Sequence, residues 1–362
     1  MQSLLSNKRR TQIQKLFWIT LSWTIVSMYQ FFNGYITLTG ANCNLAGVDP
    51  YLHFKGSLLV GVLAGLTGGS AIIFLWENWL RTKPYGQTLI NMFLSFSVVY
   101  LMVSIPTGLF FRIHENGYSL TDLKLWQTVL QDHLRPNQLF SYSFWLFVVL
   151  TTLVILLVNE KYGPGTFRAF LLGKYFHPKR EERIFMFLDL RASTAITEKL
   201  GDERYFNFIN DVFRIATPAI LYSKGEIYQY VGDEIIISWK PEFGAQNANC
   251  LNCFFEIQKA LRQRHTYFET RYQVQPEFKA GLHFGFVIAG EVGVVKRDIA
   301  YSGDVLNTTA RIQSKCNDLG VNILVSKLLI DQINPENNGY TPKPIGDMEL
   351  RGKAEKVALF TI

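Results

Sequence analysis

Two aspartates, Asp189 and Asp233, stand 44 positions apart, each at the end of a β-rich run. Asp189 follows the apolar run Ile184–Leu188, and Asp233 follows Gly232 between the runs Glu226–Val231 and Glu234–Trp239. If these runs are neighbouring strands, the two carboxylates face each other. Like charges in one site are unfavourable unless a cation neutralises them. Two carboxylates completed by substrate phosphates are a common magnesium arrangement. Asp233 alone also reads as an ordinary turn aspartate after glycine. After Asp189, however, comes Arg191-Ala192-Ser193-Thr194 and then a helical pattern to about Leu200. A strand, a tight turn and a helix start place backbone N–H groups where an anion can sit, and the combination favours a functional pair.

Asn307 and Arg311 are four positions apart and share one helix face. Arginine can stabilise charge on phosphoryl oxygens during transfer, and asparagine can hold a ribose. Arg351-Gly-Lys353 forms a second basic turn. Cys250-Leu-Asn-Cys253 has a spacing found in metal and redox sites, but no second pair or histidine cluster follows it. It falls in the helical run Asn249–His265, so a packing role is expected.

These residues need elements to hold them. Beyond the strand at Ile184–Leu190, a second amphipathic helix is expected over Arg204–Leu221, then a hairpin around Gly232-Asp233, then the helix from Asn249. Lys279–Val287 and Val294–Tyr301 read as strands, with Gly281, Gly285, Gly290 and Gly293 marking turns. Asn307–Cys316 reads as a helix. Short strands are expected around Ile323–Val325, Met348–Leu350 and Val357–Thr361. The order strand-helix-strand-strand-helix-strand, with additions, is a ferredoxin-like α+β pattern.

The first half of the chain has a different composition. Of 362 residues, 48% are hydrophobic and only 18% charged. That charge deficit is concentrated before residue 160 and excludes a wholly soluble or a disordered chain. The segments Leu16–Ile36, Ser57–Leu80, Leu89–Phe111 and Ser143–Val158 are each apolar enough to be read as membrane spans, giving an expected all-α bundle of four transmembrane helices. Lys8, Arg9, Arg10 and Lys15 precede the first. Arg81 and Lys83 separate the second and third, and Lys161, Arg168, Lys174, Lys179, Arg180 and Arg183 follow the fourth. The opposite side carries only Lys55, Arg112, Lys124 and Arg135. The positive-inside rule then puts both termini and the following domain in the cytoplasm, with the chain multi-pass in a cell membrane of bacterial inner-membrane type. Much of the net charge of +7 is accounted for by topology, so nucleic acid is not an expected partner.

Within this half, Gly61 and Gly65 make a smooth helix face, open to bundle packing or to dimerisation. Glu77 and Asn78 are expected at headgroup level, and Cys43 stands alone in the first outside loop. Leu123, Leu125, Val129 and Leu130 suggest a short amphipathic helix resting on the membrane surface. Tyr162-Gly-Pro-Gly165 breaks the chain, and Phe167–Phe176 reads as a short helix ended by His177-Pro178. The expected division is a membrane domain over 1–160, a linker over 161–182 and a catalytic domain over 183–362.

The motifs of the second half, taken in order, resemble the class III nucleotidyl cyclases. Phe187-Leu-Asp189-Leu-Arg-Ala-Ser193-Thr194 and Tyr230-Val-Gly-Asp233 are similar to that family's two metal segments. Gly281 to Gly293 is similar to its glycine-studded hairpin. Gly303-Asp-Val-Leu-Asn307-Thr-Thr-Ala-Arg311 resembles its ribose and transition-state segment, and Leu350-Arg-Gly-Lys353 its terminal basic turn. The resemblance implies a membrane-anchored adenylate cyclase. It would act as a head-to-tail homodimer, with two magnesium (or manganese) ions per site on Asp189 and Asp233. Asn307 and Arg311 would come from the other chain, and ATP would be the substrate. Ser193, Thr194, Arg351 and Lys353 are the implied substrate-binding residues besides those that read the base.

Base recognition departs from the family's pattern. Adenylate cyclases usually place Lys four positions before the second metal Asp, and Asp or Thr three before the glycine of the Asn segment; here these are Gln229 and Ala300. Guanylate cyclases usually place Glu at the first, so Gln229 fits neither rule. A glutamine amide carries both donor and acceptor and suits adenine N1 and N6. A guanylate cyclase and a weakly catalytic, nucleotide-sensing pseudocyclase are the alternatives. A diguanylate cyclase is disfavoured by the missing first glycine before Gly232-Asp233-Glu234.

Overall fold

The computed structural model describes residues 2–41, 49–76, 79, 84–162, 172–295, 297–350 and 356–362. Cys43, Glu77, Asn78, Arg81, Lys83, Arg351 and Lys353 lie outside the described residues, as does the first half of Phe167–Phe176. The chain divides into two compact units, Met1–Val158 and Asn159–Ile362.

The first unit is helical. It contains α1 (Gln2–Gly40), α2 (Pro50–Ala71), α3 (Tyr85–Asn116), α4 (Leu123–His133) and α5 (Pro136–Tyr162). A π-helical turn, Ile72–Trp76, extends α2. Among the described residues, three helical stretches are long and apolar enough to cross a membrane: Pro50–Trp76, Leu89–Asn116 and Pro136–Val158. The expected first span lies inside α1, whose apolar run is diluted by Thr20, Ser22, Thr24, Ser27, Gln30 and Asn33. A bundle of four spans is therefore a bundle of three candidate spans plus a long, more polar helix.

The small residues of α2 explain how it meets α1. A Cβ on Gly61 would lie 2.6 Å from the backbone of Thr24, and one on Gly65 would lie 2.5 Å from that of Thr20. The glycine face is thus occupied within the chain, which resolves its two readings in favour of internal packing. Polar side chains bridge the helices elsewhere: Trp23 Nε1 donates to Thr152 Oγ1 (3.0 Å) and Trp76 Nε1 to Ser95 Oγ (2.7 Å). The amphipathic helix α4 forms as expected, but Leu125 and Val129 are buried while Leu123, Trp126 and Leu130 stay exposed. Its Asp132 pairs with Arg112 of α3 at 2.6 Å.

The second unit is built on one sheet. Its elements are β1 (Lys179–Leu190), α6 (Ser193–Leu200), α7 (Asp202–Tyr222), β2 (Glu226–Val231), β3 (Glu234–Trp239), α8 (Asn249–Gln263), α9 (His265–Tyr272), β4 (Phe278–Val292), β5 (Asp298–Ser302), α10 (Asp304–Asp318), β6 (Ile323–Ser326), α11 (Lys327–Ile333), β7 (Lys343–Met348) and β8 (Val357–Thr361). The sheet order is β2-β3-β1-β4-β6-β8-β7, with β5 paired to β4. Its first four strands, all antiparallel, have the ferredoxin-like arrangement.

Alternation along β1 divides the unit into two layers. Ile184, Met186, Leu188 and Leu190 join the core formed with α7, α8 and α9, while Phe185 and Phe187 join Ile236, Val287 and Val305 on the other face, under α10. Cys250 and Cys253 are buried in the first layer as free thiols, which bears out a packing role. Burial pushes both thiols up to about 12, so neither is a nucleophile near neutral pH.

Three expectations change. Gly281, Gly285 and Gly290 lie inside the 15-residue strand β4 rather than in turns, and of the four only Gly293 follows the strand's end. Leu172–Phe176 is a set of turns, not a helix. Arg183, counted above as a topological charge, is 1% exposed and held by Glu226 (2.7 Å) and Glu181 (3.1 Å).

Candidate active site

The β1–β3 pairing aligns Asp189 with Glu234, and the two-residue loop Gly232-Asp233 closes the β2–β3 hairpin beside it. Gly232 has φ of +60°, the left-handed conformation that such a loop demands at its first position. The register therefore brings the end of β1 and the hairpin tip together. Glu234 registers the result: burial first, then the charges of Asp189 and Asp233, push its carboxyl up to about 7, with Lys279 opposing.

Asp189 is held from two sides. Lys279, its cross-strand neighbour on β4, reaches its Oδ2 at 3.0 Å, and Gln313 Nε2 of α10 donates to the same oxygen at 2.8 Å. Neither residue was singled out from sequence. Lys279 enters the site through the β1–β4 register, and Gln313 through how α10 lies on the sheet.

Asp233 is treated differently. Its Oδ2 is buried and finds no hydrogen-bond partner among the described residues. An uncompensated buried carboxylate oxygen is costly, and a cation is the group that would satisfy it. Among the described residues no cluster of three or more His, Cys, Asp or Glu could hold a metal. Asp189 and Asp233 could offer a carboxylate pair, which suits an ion whose remaining ligands are water and phosphate.

The turn after β1 is strained. Ala192 has φ of +54° and ψ of 30°, a left-handed conformation that a Cβ-bearing residue adopts only at a cost. It sets the start of α6, where Ser193 is half-buried and Thr194 exposed. Tyr205 of α7 extends over this turn: its hydroxyl lies beside Thr197 and Ser193 and senses both aspartates. Tyr205 and Asp233 share a cleft with Asn210, Phe213 and Tyr230.

Asn307 and Arg311 do not converge on this pair within the chain. On α10, Val305, Thr308, Thr309, Ile312, Gln313 and Cys316 are buried, while Asn307 is exposed and Arg311 half-buried. The Arg311 guanidinium has no hydrogen bond or ion pair among the described residues. Gln313 faces the sheet, and at 100° per residue the side of the helix bearing Asn307 and Arg311 points away from it. Gln229 is exposed on β2 at a bulge following Ile227, and half-buried Ala300 on β5 pairs with Gly290. Beneath them Tyr228 and Tyr301 pack ring to ring, and the Tyr301 backbone N–H donates to the Tyr228 hydroxyl at 3.2 Å.

The second unit is thus a ferredoxin-like sheet with Asp189 near the end of β1 and Asp233 at the adjoining hairpin tip. Residues 177–362 match the family described as adenylate and guanylate cyclase catalytic domain, and the chain belongs to that family. It is similar to adenylate cyclase 2 of Rhizobium meliloti (strain 1021), with 30% identity over 250 residues covering 68% of this chain and 69% of that protein. It is also similar to guanylate cyclase D of Mus musculus, with 26% identity over 206 residues, 54% of this chain and 18% of that one. Among solved structures, a bacterial light-regulated adenylyl cyclase shares the fold at a TM-score of 0.52, with 23% identity, covering 64% of this chain and 66% of that one.

Proposed function

We propose that the protein is a membrane-anchored adenylate cyclase that converts ATP to 3′,5′-cyclic AMP and pyrophosphate. It is an enzyme of the cell membrane, with both termini and the catalytic unit in the cytoplasm, and it works as a homodimer. The observation that carries this reading is the orphaned buried Oδ2 of Asp233 beside a second, firmly positioned carboxylate, Asp189.

Asp189 and Asp233 would hold two magnesium or manganese ions. When bound, these would acidify the ribose 3′-hydroxyl and neutralise the triphosphate. The reaction forms a bond from O3′ to the α-phosphorus and breaks the bond from that phosphorus to the bridging oxygen, so pyrophosphate leaves and the hydroxyl proton passes to solvent. Lys279 and Gln313 both engage Oδ2 of Asp189, so Oδ1 would be the oxygen offered to a metal ion. The backbone N–H groups at the start of α6, at Ser193 and Thr194, offer an anion cradle for phosphate oxygens. Arg351 and Lys353, outside the described residues, would serve as further substrate-binding residues.

The outward side of α10 supports a site shared between two chains. Asn307 would orient the ribose, and Arg311 would meet charge growing on the α-phosphate oxygens, both in the partner's site. Gln229 would read adenine N1 and N6, with Ala300 leaving room for the ring. The 30% identity to a protein named adenylate cyclase favours ATP. Guanylate cyclase is the second reading, because a glutamine amide can turn over to match the reversed donor and acceptor edge of guanine. Assay of the full chain with ATP and GTP in competition tests the choice: cyclic AMP should dominate, and a preference for GTP would overturn it.

A further inference from the structure

The membrane unit contains a partly open cavity of about 210 Å³. It is formed by one continuous side of α3, including Phe96, Val99, Val103 and Thr107, facing Val60, Ala64 and Gly68 of α2 and Trp145 and Val149 of α5, with Trp23 from α1. The spacing on α3 keeps every lining residue on the same side over four turns. Much of the wall is made of buried side chains: Trp23, Ala64, Trp76, Phe96, Val103 and Trp145 are all under 8% exposed.

Two features distinguish the cavity from a packing defect between helices. The first is its wall chemistry, with six aromatic rings among the lining residues and no Asp, Glu, Lys or Arg. The indole N–H groups of Trp23 and Trp76 are committed to Thr152 and Ser95, which leaves ring surface toward the interior. The second is a polar group set into this wall. Tyr100 Oη donates to Gln138 Oε1 at 2.8 Å, which leaves the Gln138 amide NH2 without a partner among the described residues. Ser104 Oγ lies 3.0 Å from His133 Nε2, and Ser141 sits beside Tyr100. An apolar chamber with a few convergent polar groups is the usual form of a small-molecule site.

We infer that this chamber binds a small neutral aromatic molecule bearing one hydroxyl or carbonyl. Its ring would lie among Trp23, Phe96 and Trp145, and its polar atom at Gln138 and Ser104. The volume exceeds the roughly 150 Å³ cavity that accepts benzene, and so suits one to two fused rings. An anionic head is excluded by the absence of a cationic side chain in the wall, since an unpaired charge in such a site is expensive. The aromatic walls select a flat ring over a saturated chain. The cavity lies wholly within the membrane unit, so the inference does not depend on the reading of the catalytic unit.

Naphthol is the probe, added to the full chain in nanodiscs and followed by energy transfer from the protein's tryptophans. Naphthalene, which lacks the polar head, and naphthoate, which carries a charge, are the comparisons. Naphthol should saturate at one per chain. Naphthalene should bind roughly 2- to 10-fold more weakly, the worth of one hydrogen bond, and naphthoate should not saturate. Ala64→Phe fills the chamber and should abolish saturable binding of naphthol and naphthalene. Ser104→Ala should weaken naphthol alone. Non-saturating partition of naphthol, equal binding of naphthoate, or unchanged saturable binding in Ala64→Phe would overturn the assignment. Should Ala64→Phe fail to assemble, the naphthol-to-naphthalene ratio and its change in Ser104→Ala decide the question.

Discussion

At the scale of residues, the two aspartates differ in what they do for the fold, and this separates the effects of their removal. Asp189 accepts from Gln313 and Lys279, so Asp189→Ala strands a donor and a nearly buried ammonium group. It should lower stability by about 1–3 kcal/mol as well as activity. Asp233 carries an unsatisfied buried oxygen, so Asp233→Ala should leave the thermal midpoint unchanged or raise it. Both should reduce turnover by roughly 100-fold or more. Calorimetry beside a magnesium-dependent assay checks this, and an active Asp233→Ala enzyme would remove the metal assignment. Gln229 makes a smaller prediction. Gln229→Ala should reduce efficiency with ATP about 5- to 150-fold and flatten the ATP-to-GTP ratio, as competition between the two nucleotides would show. The placement of Asp189 near the end of β1 and of Asp233 at a hairpin tip was legible, because each closes a β-rich run. Lys279, Gln313 and Tyr205 were not, because their part in the site comes from cross-strand register and helix docking, which sequence spacing does not encode.

At the scale of elements, the contact of α10 with β4 governs the site. A Cβ on Gly281 would lie 2.4 Å from the Gln313 backbone nitrogen and 2.7 Å from its Cα. Gly281→Ala must therefore push α10 off the sheet, withdrawing Gln313 from Asp189 and moving Asn307 and Arg311 with it. A loss of about 1–3 kcal/mol in stability is expected, together with a fall in turnover larger than that in Gln313→Ala. Equal turnover in the two variants would argue against helix placement as the controlling variable. This also explains why glycines expected in turns lie within a strand: Gly281 and Gly285 are small so that a helix can approach, with Val305 3.2 Å from a Cβ on Gly285. Sequence alone shows the glycine but not which of its two uses applies. The hairpin at Gly232-Asp233 was legible because its loop has only one chemical explanation. The strand expected at Met348–Leu350 is instead β7, ending at Met348, because it is an exposed edge strand with little apolar alternation to mark its limits.

At the scale of the whole molecule, the division into an apolar helical half and an α+β half was plain from composition, while the number of spans was not. Lipid-facing and helix-facing apolar residues look alike in sequence, and α1 sits between the two cases. The charges before and after the candidate spans are equally ambiguous, as Arg183 shows by being buried in the sheet. The central claim is that the catalytic unit is a cyclase whose sites are each completed by a second chain, and the outward direction of Asn307 and Arg311 is its support. The most direct measurement mixes full-length Asp189→Ala and Arg311→Ala chains, each inactive alone, and follows cyclic AMP formation from ATP. Random pairing yields one intact site in each mixed dimer, so recovery should approach about a quarter of the wild-type rate. No recovery while mixed dimers are demonstrably present would contradict the shared site.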